Sequence, residues 1–466
     1  MATENWDAIV VGAGQAGPAL AARLARSGQK TALIERGHAG GTCVNTGCTP
    51  TKALVASARV AHLVRRAAEF GTVVSGSVST DFAAVRSRMQ AIVGTSRGNL
   101  TQWLQGTEGL TFVRANARLV APDTVDAGGR LLRAPRIFLN VGCRPAVPAW
   151  GRDSGVPCLT SDTLLALEEL PTRLVIIGGS YIGLEFAQIF RRFGSEVTVI
   201  EQAGQLLGRE DAEASRAVTA ALQDEGIRLE LGACCLALER GANGEAVVGF
   251  ERAGEHRRIA ASHVLLAVGR QPNTEDLGLE QAGVERDEKG YVRVDGQLRT
   301  TAPGIWALGD VNGRGAFTHT AWNDYEVVAA NVLDGQERTI DGRVAPYALY
   351  IDPPLARFGD SEAQARARGG QLLVGYLPMA NIGRARERSE TRGFMKVLVD
   401  GASMRLLGAT LVGIDADEVI HALLNVHAAG VDVRTIAASV PIHPTISELI
   451  PTLLQRLQPV SAVPNQ

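Results

Sequence analysis

A chain of 466 residues is too long for one ordinary domain, and two to four domains are expected. Its 45% hydrophobic content and 52 glycines suit a glycine-rich α/β protein, and a formal charge of −2 excludes the basic surplus of a nucleic-acid or anionic-membrane binder. No apolar run reaches membrane-spanning length, and six cysteines in a chain this long do not make a disulfide framework.

Trp6 to Val11 reads as a strand that starts almost at once, leaving no room for a signal peptide and pointing to a cytoplasmic protein. The strand runs into GAGQAG, then a helical pattern from Pro18 to Ser27, then a second strand from Thr31 to Ile34 ending at Glu35. This is a dinucleotide-binding layout. Gly12 makes the tight turn, Gly14 lets backbone approach a pyrophosphate, and Gly17 lets helix and strand pack closely. The helix N-terminus offers free N–H groups to the phosphates. Glu35, 23 residues after Gly12, is placed to accept hydrogen bonds from a ribose diol.

GGTCVNTGCTPTK follows, from Gly40 to Lys52, with Cys43 and Cys48 five positions apart. On one continuous helix that spacing leaves the side chains about 140° apart, so an irregular or opening turn is needed to bring the sulfurs together. The glycines at 40, 41 and 47 make such a turn feasible. A helix N-terminus here would lower both thiol pKa values. A metal clip would require further Cys or His ligands, and His38 and His62 are isolated, so no metal site is expected. A passive staple is out of place in a reducing compartment.

The nucleotide-binding unit then recurs. RLVIIGGSYIGLEFAQIFRRFGSEVTVIE repeats strand, turn, helix and strand, with Glu201 again 23 residues after Gly178. Ser180 stands where the middle glycine would be, between Gly178 and Gly183. Two such sites imply two cofactors, and a flavin with a nicotinamide is the natural pairing for hydride exchange. LLAVGRQPN and GIWALGD each bring a short apolar strand to a glycine turn, which puts Asp310 at a strand end, where ligands collect in open α/β sheets. In RLELGACCLALER, Cys234 and Cys235 read as small buried residues. Near the C-terminus, PIHPTISEL holds His443 and Glu448, a base–carboxylate pair suited to moving thiol protons near neutrality.

With these motifs the chain resembles, over essentially its whole length, the pyridine nucleotide–disulfide oxidoreductases, the family of lipoamide dehydrogenase, glutathione reductase and mercuric reductase. The resemblance implies two Rossmann-like α/β domains, for FAD and NAD(P), plus an α+β C-terminal dimerisation domain. The expected boundaries are 1–145 for the first part of the FAD domain, 146–268 for the NAD(P) domain, 269–342 for the second FAD part and 343–466 for dimerisation. It makes Cys48 the thiol lying against the flavin and Cys43 the thiol that meets substrate. It pairs Lys52 with Glu185 and makes Tyr181 an aromatic gate over the flavin. It assigns Gly41, Thr42, Gly142 and Asp310 to FAD, and Gly178, Gly179, Ser180, Gly183, Glu201 and Gly269 to the nicotinamide nucleotide. It implies a homodimer in which His443, after a cis His–Pro bond and oriented by Glu448, serves Cys43 of the other subunit.

Three departures stand out. NVGCRP (Asn140 to Pro145) replaces an Ala-Thr-Gly-Ser turn, which puts that turn's hydrogen bonds in question. Pro441 replaces the first histidine of His-x-His-Pro, and the chain ends SAVPNQ without the terminal cysteine pair of mercuric reductases. Glu201 favours NADH, because a carboxylate repels the 2′-phosphate of NADPH, although nearby arginines leave NADPH possible. The retained His443–Glu448 pair favours a thiol or disulfide substrate, as in lipoamide dehydrogenase. The alternative is a mercuric-reductase-like enzyme acting on metal ions or oxidants such as hypothiocyanous acid. A reading of another class is a flavoprotein redox sensor or interaction protein. No nucleic-acid or membrane partner is expected.

Overall fold

A computed structural model describes residues 3–460, so SAVPNQ lies outside the described residues. Its first parallel sheet orders Ile305–Ala307, Ile137–Leu139, Ala8–Val11, Thr31–Glu35 and Leu110–Arg114. These strands are covered on both faces, so they read as continuous apolar runs such as AIVV and IFL. The second parallel sheet orders Cys158–Leu159, His263–Leu266, Arg173–Ile177, Glu196–Glu201 and Arg228–Leu231. The repeated sequence unit therefore occupies the same place in both sheets: its first strand is central and its second lies beside it.

Each parallel sheet carries an antiparallel satellite. Ala117–Ala121, Thr124–Ala127 and Leu131–Arg133 accompany the first, with Thr3–Asn5 added in parallel. Cys234–Arg240, Ala246–Arg252 and Glu255–Ala261 accompany the second. The chain passes between the units at a two-stranded antiparallel ribbon of Cys143–Pro145 and Arg270–Pro272. The C-terminal part is a six-stranded antiparallel sheet whose core packs against the Ala416–Ala428 helix. Among the described residues no helix is long and apolar enough to cross a membrane.

The helix after the first turn runs Gly17–Arg26, with Pro18 in its first turn, where a missing N–H costs nothing. One expectation is overturned. Cys234 and Cys235 are exposed, because Cys234–Arg240 is an edge strand of its three-stranded sheet and its start is not covered.

Candidate active site

The cysteine motif forms two helices, Gly41–Asn45 and Cys48–Arg65, with a break at Thr46 and Gly47. The break supplies the irregular turn that the spacing requires. A Cβ on Gly47 would lie 2.8 Å from the Thr42 carbonyl oxygen, so only glycine fits. The Asn45 side chain braces the first helix, donating to the Ala39 and Gly41 carbonyls at 3.0 and 2.9 Å, and accepts from Arg97 at 2.8 Å. The long second helix packs on Phe82–Gln105 and Tyr181–Phe193.

Cys43 and Cys48 are free thiols in hydrogen-bonding contact, and they respond in opposite directions. The hydrogen bond from Cys43 lowers Cys48 to about 6, against the effect of burial, with help from the Thr318 hydroxyl and the Lys52 cation. Cys48 is also the first residue of its helix, where the dipole favours an anion. Cys43 is raised by its contact with Cys48 and by burial. The expectation that both thiols are lowered is therefore half corrected: two adjacent thiols cannot both ionise cheaply, and the one at the helix start wins.

Lys52 donates to both Glu185 oxygens at 2.9 and 2.7 Å, and its ammonium lies 4.6 Å from the Tyr350 ring centre. Glu185 is nearly buried and also accepts from the Tyr350 N–H at 3.0 Å. Thr318 Oγ1 is 3.4 Å from Cys48 Sγ. The Tyr181 ring is 5.7 Å from Phe317, which stacks in turn on His319 and Tyr347.

The two cysteines and these groups, Tyr347 apart, line one cavity of about 920 Å³ that continues past Gly12, Gly14, Gly41, Thr42, Gly142 and Asp310 to Glu35. Its size and length suit a dinucleotide. The glycine turn is closed from behind: a Cβ on Gly12 would sit 2.3 Å from the Asn140 carbonyl oxygen, and one on Gly17 would sit 2.1 Å from that of Gly12. The cavity side is open, since a Cβ on Gly142 would meet nothing within 4 Å. These residues fit an FAD. The Glu35 carboxylate accepts from the Ala13 and Gly37 N–H groups at 2.8 and 2.7 Å, so it holds the turn while lining the cavity.

The second turn repeats this arrangement. The Glu201 carboxylate accepts from the Gly179 and Ala203 N–H groups at 2.6 and 2.7 Å. A Cβ on Gly178 or Gly183 would lie 2.3 Å from the Ala267 carbonyl oxygen or 2.2 Å from that of Gly178. Ser180 immediately precedes the Tyr181–Phe193 helix and leaves its first amides free of any side-chain cap. Gly178, Gly179, Ser180, Gly183, Glu201 and Gly269 lie outside the first cavity.

NVGCRP supplies two contacts that the sequence left in question. Asn140 accepts from the Gly17 N–H and donates to the Leu308 carbonyl, each at 2.9 Å, clamping the first nucleotide helix to the strand before Asp310. The Cys143 thiol donates to the Asp310 carbonyl at 3.4 Å, and burial pushes it up to about 12. The Asp310 carboxyl is raised by burial, with Arg270 opposing from 3.6 Å. Asn140, Thr318, Arg270 and Tyr350 were not named as site residues from sequence; Asn140 and Arg270 lay inside the NVGCRP and LLAVGRQPN motifs, whereas Thr318 and Tyr350 lay outside every motif.

His443 and Glu448 meet at 2.8 Å, after a cis His443–Pro444 bond. They are absent from the cavity of Cys43 and Cys48, and the His443 side chain is 79% exposed beside exposed Val440 and Ile442.

Family models for the pyridine nucleotide-disulphide oxidoreductases match residues 6–324, and their dimerisation domain matches residues 345–454. The chain belongs to this family. It is a flavin-dependent pyridine nucleotide–disulfide oxidoreductase, whose family works with FAD and NAD(P)H and forms homodimers. It is 36% identical to the probable pyridine nucleotide-disulfide oxidoreductase RclA of Escherichia coli K12, over 95% of this chain and 97% of that protein. It is 34% identical to a dihydrolipoyl dehydrogenase of Staphylococcus aureus, over 95% of this chain and 94% of that enzyme. Among solved structures it is similar to the HOCl-induced flavoprotein disulfide reductase RclA from E. coli, with a TM-score of 0.86 and 34% identity over 97% of this chain and 99% of that one. It is also similar to a Cu(II) complex of that protein, with a TM-score of 0.87 and 35% identity, covering 97% and 100%.

Proposed function

We propose that electrons pass from NADH through a Cys43–Cys48 disulfide to a substrate disulfide, or in reverse from a substrate dithiol, in a cytoplasmic homodimer whose active site is shared between subunits. The observation that carries this reading is the opposed pair of thiols at one end of the dinucleotide cavity, with Cys48 lowered to about 6. FAD, when bound, supplies the two-electron exchange between nicotinamide and disulfide.

The remaining steps belong to the chain. Reduction breaks the S–S bond, leaving Cys48 as a thiolate held by the Cys43 thiol, the Thr318 hydroxyl and Lys52. Cys43 remains protonated and needs a base before it attacks a substrate disulfide. His443 of the second subunit takes that proton and returns it to the leaving sulfur, with Glu448 orienting the ring and stabilising its charged form. Tyr181 covers the cavity until the nicotinamide displaces it. Glu201 supports NADH, since its carboxylate disfavours a 2′-phosphate.

Anaerobic addition of NADH to the yellow protein is expected to give a long-wavelength thiolate–flavin absorption that Cys48→Ser removes. Complete bleaching with no such band, in the unsubstituted protein, rules the relay out. A second reading, reduction of metal ions or small oxidants by the same relay, is favoured by likeness to the HOCl-induced reductase and its Cu(II) complex. Turnover of lipoamide and small disulfides against hypothiocyanous acid, Cu(II) and mercuric ion separates the two.

A further inference from the structure

The three-stranded satellite of the second nucleotide unit has no part in the relay, yet it gathers two sulfurs and a carboxylate. Cys234 stands in register with Glu251 on the neighbouring antiparallel strand, and opposed residues present their side chains on one face. Strict alternation would send Cys235 to the other face. Instead the register slips between Cys234 and Ala237, and Cys235 takes φ +53, the left-handed region that costs a non-glycine residue about 1–2 kcal/mol. The irregularity turns its thiol back. One ligand atom each from Cys234, Cys235 and Glu251 then lies within 4.8 Å of the others, with both cysteines exposed.

Among the glutamates on the three satellite strands, Glu251 is the exception. Glu239 pairs with Arg258 at 2.7 Å, Glu255 with Arg257 at 3.0 Å, and the neighbouring Glu230 takes Arg228, Arg252 and Arg257. Among the described residues Glu251 makes no ion pair; its carboxylate faces the two thiols instead.

We propose that Cys234, Cys235 and Glu251 form a binding site for a thiophilic d10 cation, separate from the redox pair. Two thiolates select soft ions such as Cu(I), Zn(II), Cd(II) or Hg(II) over oxygen-seeking Mg(II) and Ca(II). The carboxylate supplies a third donor, and water completes the shell at an exposed strand start. Binding displaces the thiol protons to solvent, with no change of oxidation state.

Cadmium is a direct probe, because thiolate-to-cadmium charge transfer absorbs in the ultraviolet. The test uses FAD-loaded Cys43→Ser/Cys48→Ser protein, reduced with a phosphine and handled anaerobically, so that the redox pair cannot take the ion. The expected result is a band that saturates at one equivalent per chain, disappears in Cys234→Ser and in Cys235→Ser, and needs about tenfold more cadmium in Glu251→Gln. No band, or a band that persists when both cysteines are serine, overturns the proposal. Persistence would assign the cadmium to Cys143 or Cys158. In the otherwise unsubstituted enzyme, Cys234→Ser should keep full NADH-dependent turnover, which separates loss of this site from loss of fold.

Discussion

Cys43 and Cys48 carry the same thiol five positions apart, yet one is raised and the other lowered. The difference arises because Cys48 starts a helix and receives hydrogen bonds from Cys43 and Thr318, with Lys52 nearby. The thiolate–flavin absorption of the reduced enzyme should therefore persist at neutral pH and fade as pH falls through about 6. Lys52→Met should move that midpoint upward, because the thiolate loses a cation. A midpoint that stays put would mean the hydrogen bonds alone hold the charge. Asn140 offers a second test at this scale. Asn140→Ala strands the Gly17 N–H and the Leu308 carbonyl in the interior, at about 1–3 kcal/mol for each group. The loss should register as a lower urea midpoint and weaker FAD retention.

The strand–turn–helix unit occurs twice, and both copies use glycine for the same steric reason. Gly12 and Gly178 have φ of +101 and +116, and at each a Cβ would fall 2.3 Å from a backbone carbonyl oxygen just past the end of the adjoining parallel strand, that of Asn140 or Ala267. Gly12→Ala should yield protein that does not retain FAD, read from the flavin-to-protein absorbance ratio after purification. Gly28→Ala, at the end of the first nucleotide helix and outside the cavity, meets open space at φ +87 and should keep FAD, with a stability loss of about 1–2 kcal/mol from the left-handed backbone alone. Equal losses at both positions would show that backbone conformation, not the collision, governs the first turn.

An ion cluster joins three parts of the molecule. Arg59 comes from the cysteine-motif helix, Arg192 from the second nucleotide helix, and Asp352 and Glu390 from the C-terminal part. Arg192 also forks onto Glu225 at 2.7 and 2.8 Å. Burial alone would raise the Asp352 carboxyl, but the Arg192 and Arg59 guanidiniums outweigh it and hold it below the usual range. Its stabilising contribution is thus complete above the unfolded value near ~3.9 and is lost as pH falls through the lower native value. Asp352→Ala removes one of the two anions that hold buried Arg192, which keeps its Glu225 fork, and should cost about 1–3 kcal/mol at neutral pH in urea unfolding. The gap from the unsubstituted protein should shrink in acid. Subunit sharing has its own test. Randomly mixed Cys43→Ser and His443→Ala protomers should recover about a quarter of the original turnover, because half the dimers hold one intact site. No recovery on mixing would place both residues in one subunit's site.

Local spacing made the two nucleotide units, the cysteine motif, Glu35, Glu201 and the His443–Glu448 pair legible, because each depends on residues within one or two adjacent elements. The same spacing required an irregular or opening turn, for which the glycines at 40, 41 and 47 were candidates, and the chain breaks at Thr46 and Gly47. Contacts between distant segments were not legible. Asn140 reaches Gly17 across 123 positions, and Thr318 reaches Cys48 across 270. The direction of the Cys43 thiol depended on which sulfur began a helix, and the exposure of Cys234 and Cys235 on which strand became a sheet edge. Sequence by itself determined which backbone turns and reactive groups this protein has, since backbone geometry and residue chemistry act locally. Only the tertiary structure decided which thiol carries the charge and what clamps the nucleotide turn, because burial and hydrogen bonding depend on elements brought together from across the chain.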